Sequence, residues 1–208
     1  QSNITFVKDY YSEKYRDYQA DLVCCRMTLE HIPHTGRLVR SVREAIADNL
    51  ETVVFFQVPD VTRILKDCAF EDIYYEHCSY FSPSSLAALF EKNDFAVTDV
   101  KTVYDGQYIL LEARPIAPGQ SHPSSPEREG IRPLVSTFGE RLQAKVQNWR
   151  DRITSAVGNG SKVILWGGGS KAVAFLTTLG IDQEIDYVVD INPHRQGFFM
   201  PGTGQEIV

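Results

Sequence analysis

Three tyrosines, a glutamate, a histidine and two serines fall within the eleven residues Asp72-Ile73-Tyr74-Tyr75-Glu76-His77-Cys78-Ser79-Tyr80-Phe81-Ser82. An imidazole with an unperturbed pKa near ~6.5 accepts a proton at neutrality without a large shift, which singles out His77. Glu76 beside it can raise that pKa or orient one ring nitrogen. The hydroxyls of Tyr74 and Tyr80 can donate to an oxygen on which negative charge develops. Together these groups suit proton movement on a polar substrate. The alternative is that the rings pack at a domain interface and His77 satisfies a backbone group.

Other polar groups stand where open α/β sheets bind ligands, outside the carboxyl ends of strands. Cys25-Arg26-Met27-Thr28-Leu29-Glu30-His31-Ile32 follows an apolar run, with Cys25, Arg26 and Met27 at the strand end where a cofactor is expected. Glu30 and His31 either join that site or simply start a helix, with Leu29 and Ile32 packing. Gly167-Gly168-Gly169-Ser170-Lys171-Ala172 satisfies G-x-G-x-x-A after a strand and at a helix start. Asp190 ends the next strand ~20 residues on, where a ribose-binding acid would sit. Taken alone this pattern indicates a nucleotide such as NAD; alternatively, the glycines only permit a tight turn. The stretches 190–197 and 201–204 are polar loops that either reach a shared ligand or stay solvated.

The elements that must position these groups alternate. Ala20 to Cys25 suits a buried parallel strand, Leu38 to Ala47 has helical spacing, and Thr52 to Val58 is β-branched and aromatic, with Pro59 at its end. Pro83 to Asn93 reads as a helix capped by Ser82 or Ser84. Phe95 to Val100 and Tyr108 to Ala113 read as two strands turning at Asp105-Gly106. This order implies a parallel sheet with a closing hairpin that adds an antiparallel edge strand. Beyond it, Ile131 to Val157 has helical character along Leu134, Phe138, Leu142, Val146, Trp149 and Ile153. Lys162 to Trp166, Ser170 to Leu179 and Ile185 to Asp190 then form a βαβ unit.

The 208 residues, 43% hydrophobic and 23% charged, suffice for a soluble α/β protein with a substantial core. A net charge of −6 without a basic cluster argues against nucleic acid as a partner. No apolar run approaches a membrane span. Cys24, Cys25, Cys68 and Cys78 form no CxxC pair; the side-by-side pair in a predicted buried strand fits a reducing cytoplasm, and no metal is expected. The sequons at Asn3 and Asn159 are then chance matches. Prolines 115, 118, 123 and 126 among serines and charges mark a linker over 115–130, dividing 1–114 from 131–208.

These segments resemble the nucleotide-sugar C-methyltransferase family, class I enzymes that use S-adenosylmethionine on nucleotide-linked 4-keto-deoxysugars. The resemblance is carried by 21–23 through 29–32, by Ile73 to Ser82, by Trp166 to Lys171, by Val189 to Pro193 and by Pro201 to Gly204. It implies the C-terminal half of a class I methyltransferase sheet over 1–114, followed by an incomplete Rossmann-like domain over 131–208. His77 matches the proposed base, with Tyr74 and Glu76 as its partners; Tyr80, Lys171 and Asn192 are expected at the substrate. The glycine turn then builds the fold and cleft and is not a nicotinamide site.

The chain departs from the family at Met27 and Tyr75, where histidine is usual. The family's zinc cysteines and the glycine-rich turn that holds S-adenosylmethionine are also missing, since 1–114 contains only Gly36 and Gly106. The chain is therefore expected to begin partway through a domain and to be inactive alone. Two rivals remain: a non-catalytic nucleotide-sugar binding or docking module, and an NAD-dependent oxidoreductase.

Overall fold

The computed structural model describes residues 3–15, 17–117, 120 and 130–208. In chain order the strands and α-helices are β1 (Leu22–Arg26), α1 (Thr35–Ile46), β2 (Val53–Pro59), α2 (Val61–Asp67), α3 (Pro83–Glu91), β3 (Phe95–Val103), β4 (Tyr108–Pro115), α4 (Arg132–Gly158), β5 (Leu165–Trp166), α5 (Ser170–Leu179), β6 (Tyr187–Val189) and β7 (Glu206–Ile207). They pack as two units. The first takes the described residues up to Val61 and from Cys78 to 120; the second takes Thr62–His77 and Gly130–Val208. The linker expected over 115–130 lies largely outside the described residues, and its first position, Pro115, is still part of β4.

In the first unit the sheet order is β1-β2-β4-β3, with β1 parallel to β2 and β4 antiparallel to both neighbours. The hairpin was expected to leave its antiparallel strand at the edge. The edge belongs instead to β3, which runs parallel to β2, and β4 fills the gap between them. The helical crossover through α3 explains this: it sets β3 down parallel, one strand's width away, and the returning arm pairs on both sides. Val54, Phe56 and Val58 of β2 and Ile109, Leu111 and Ala113 of β4 alternate inward, where Phe56 meets Phe90 edge-on at 4.9 Å. Ser82 caps α3 in a reciprocal box with Ser85, and Pro83 occupies the first turn, where its missing N–H costs nothing.

β1 is less buried than its composition suggests. Among the described residues it pairs only with β2, so Cys24 is exposed and Cys25 half-buried, correcting the expectation of two buried thiols.

In the second unit β5, β6 and β7 form a parallel sheet in that order. The predicted strand over 162–166 shortens to Leu165–Trp166, because pairing with β6 extends over only two residues. Ile153 of α4, Leu176 and Leu179 of α5, Val188, Met200 and Ile207 share a core with Phe70, which comes from the Thr62–His77 segment. Phe70 stacks on Phe175 at 5.8 Å. The predicted face of α4 packs as expected, with Leu142, Val146 and Trp149 against this core. Gly180 ends α5 at a φ of 59°, the left-handed region that suits glycine.

Candidate active site

The tract 70–77 is built entirely within the second unit. A 3-10 turn at Phe70–Asp72 leads into Ile73, which is extended, and the amide of His77 then donates to the carbonyl of Tyr74 at 3.1 Å. That turn sets the two rings 4.2 Å apart, centroid to centroid, at 41°. His77 is buried, Tyr74 and Glu76 are half-buried, and Tyr75 is 91% exposed.

Tyr74 lines two cavities of this unit. One, of about 570 Å³, also has Lys145, Trp149, Trp166 and Lys171 in its wall. The other, of about 620 Å³, is shared with Glu76, His194 and Arg195. His77 lines neither cavity, its ring packing on Tyr74.

Lys171 lies in the first turn of α5, and its ammonium meets Oδ1 of Asp72 at 2.5 Å. The second oxygen of Asp72 accepts from the guanidinium of Arg63 at 2.7 Å. Asn192 is exposed and serves its own loop: its amide donates to Asp190, and its side-chain oxygen accepts from the amide of His194 at 3.0 Å.

Asp190 directly follows β6, where a ribose-binding acid was expected, but its carboxylate is used within the chain. It accepts from the amides of Asn192 at 2.9 Å and Gly168 at 2.8 Å and pairs with Arg195 at 3.2 Å. The backbone donors, Asn192 before Gly168, hold its pKa below the usual carboxylate value. A Cβ on Gly168 would stand 3.1 Å from Oδ2 of Asp190, and Gly167 has a φ of 98°. Here the glycines make a turn that lets the acid approach the backbone.

In the first unit Cys25 lines a cavity of about 530 Å³ with Tyr10, Tyr11, Thr28 and Phe56. Burial pushes its thiol up to about 11, so it stays protonated at neutral pH. Arg26 and Met27 do not line this cavity. The guanidinium of Arg26 donates to the side chain of Gln57 at 2.7 Å, and Met27 turns the chain with a φ of 50°. Tyr80 is 36% exposed. Glu30 is buried, and burial raises its pKa.

Two features escaped the sequence reading. The pairing of Asp72 with Lys171 joins residues far apart in the chain and has no local signature. Helix α2 did have one, the i,i+4 pair Arg63–Asp67, but Pro59 made the region read as the end of an element.

Residues 2–100 match the family described as Methyltransferase domain, and 131–208 the family described as C-methyltransferase C-terminal domain. The chain is 30% identical over 198 residues to the C-methyltransferase NovU of Streptomyces niveus, covering 88% of this chain and 46% of that protein. It therefore spans about half the length of the curated relative it matches. Solved structures show a partial likeness. The N,N-8-amino-8-demethyl-D-riboflavin dimethyltransferase RosA of Streptomyces davawensis is 15% identical with a TM-score of 0.38, covering 49% of this chain and 32% of that one. The magnesium protoporphyrin IX methyltransferase ChlM of Synechocystis PCC 6803, with bound SAH, is 13% identical with a TM-score of 0.36, covering 47% and 45%.

Proposed function

We propose that this chain, which is similar to a C-methyltransferase over most of its length, supplies the substrate-activating half of an enzyme that C-methylates a nucleotide-linked keto-deoxysugar with S-adenosylmethionine. The 4-keto group of such a sugar acidifies the neighbouring C3–H. His77 takes that proton on a ring nitrogen, Glu76 offsets the imidazolium charge, and the Tyr74 hydroxyl donates to the enolate oxygen. The C3 carbon then bonds to the methyl group, the carbonyl re-forms, and His77 passes its proton to solvent. The observation that carries this reading is the turn that stacks His77 on Tyr74; Tyr74 and Glu76 open onto one cavity that His77 itself does not line, so the sugar has to reach the imidazole past the Tyr74 ring. In this reading 1–114 is the second half of the methyltransferase domain, 131–208 is Rossmann-like, and Lys171 at the neighbouring cavity faces the substrate.

Bound S-adenosylmethionine would supply the electrophilic methyl group, its sulfonium becoming a thioether as the methyl–sulfur bond breaks. The first-unit cavity fits one wall of its site: Tyr10, Tyr11 and Phe56 offer apolar and aromatic surface, with Cys25 and Thr28 beside them. Of the three strand-end residues expected at the cofactor, Cys25 is the one assigned there. Its protonated thiol does not compete as a nucleophile for the methyl group.

The test is His77→Ala in the complete enzyme. Turnover falls ~10²–10⁴-fold while S-adenosylmethionine binding by calorimetry is unchanged. Undiminished turnover removes His77 from the mechanism.

A further inference from the structure

We infer that Asp72 is a positioning residue that fixes the Tyr74–His77 ring pair by bridging Lys171 and Arg63; its link to catalysis rests on the reading of His77 as the base. Asp72 is only 9% exposed, so its charge needs close partners. Each carboxylate oxygen has one: Oδ1 takes Lys171 on α5 at 2.5 Å, and Oδ2 takes Arg63 on α2 at 2.7 Å. Arg63 is steadied in turn by Asp67 at 3.4 Å. A single side chain therefore ties two helices of the unit together, two residues before Tyr74.

The neighbours explain why this position matters. Phe70 anchors one end of the tract in the core through Phe175. Ile73 and Tyr75, on either side of Tyr74, are exposed at 41% and 91%, so neither anchors it by burial. Between Phe70 and the Tyr74–His77 turn, Asp72 is the one buried side chain. The same ion pair sets where the Lys171 ammonium stands at the cavity that Tyr74 also lines. A carboxylate is required because two cations converge on it; an amide keeps the shape but not the charge.

The experiment uses the ring-current displacement that Tyr74 imposes on the His77 ring protons, read by NMR of the 208-residue chain and assigned with His77→Asn. Asp72→Asn and Lys171→Met should each move these resonances toward the values of an unstacked histidine, and Lys171→Arg should restore them. Lys171 is half exposed, so Lys171→Met decides the matter if Asp72→Asn fails to fold. In the complete enzyme Asp72→Asn should lower kcat by ~10²-fold while S-adenosylmethionine binding holds. Unmoved His77 resonances in the folded variants overturn the proposal, as does an equal loss in Lys171→Arg and Lys171→Met. If the resonances follow Asp72 but His77→Ala still turns over, the positioning stands and the base assignment falls.

Discussion

Glu30 and Asp190 are two carboxylates that the fold treats in opposite ways. Burial raises the pKa of Glu30 above 4.5, outweighing a backbone hydrogen bond and the nearby His31, so folding favours its protonated form. Its contribution to stability is full below pH 4.5 and is lost as pH rises through the folded value. Glu30→Gln, which stays neutral, should therefore gain in Tm over the parent as pH is raised from 4 to 8; a difference that does not change with pH would contradict this. Asp190, held by the amides of Asn192 and Gly168, is lowered from 3.8 and stabilises above that pH. Asp190→Asn should lower Tm at pH 7, with the gap closing as pH falls below 3.8 through the folded value. The residue types in the 72–82 tract were visible in the sequence. The environments of Glu30 and Asp190 were not, because burial and backbone donors depend on what folds around them.

At the scale of elements, local rules account for α3, α4 and α5. Ser82 and Pro83 mark the start of α3, apolar spacing marks the packed face of α4, and Gly180 ends α5. Ser82→Ala should cost about 1 kcal/mol, measured as a lower urea midpoint with unchanged slope, since one amide at the helix start loses its acceptor. Strand identity within the hairpin was equally legible, from alternation in β3 and β4. Their lateral order was not, since alternation shows which face is buried and not which strand lies alongside. Two elements went unread: the seven residues of α2, whose Arg63–Asp67 spacing was hidden behind Pro59, and the two of β7, too short for spacing to detect.

At the scale of the molecule, Thr62–His77 should respond to damage in the second unit and not in the first. Leu176→Ala removes a fully buried side chain and should cost about 2–5 kcal/mol. Hydrogen exchange should then quicken at 70–72 and in α5 while β2 and β4 stay protected; Phe90→Ala should reverse the pattern. Exchange at 70–72 that follows Phe90 would reassign the segment. The sequence by itself determined the α/β class, most of the helices and strands, the family resemblance and the cluster of titratable groups, because periodicity, capping and motif spacing are written over a few neighbouring residues. Only the tertiary structure decided that β4 lies inside its sheet, that Asp190 serves its own turn, and that Asp72 joins Lys171 and Arg63. Those outcomes depend on which surfaces cover each other and which charges meet across long stretches of chain, and no local pattern records that.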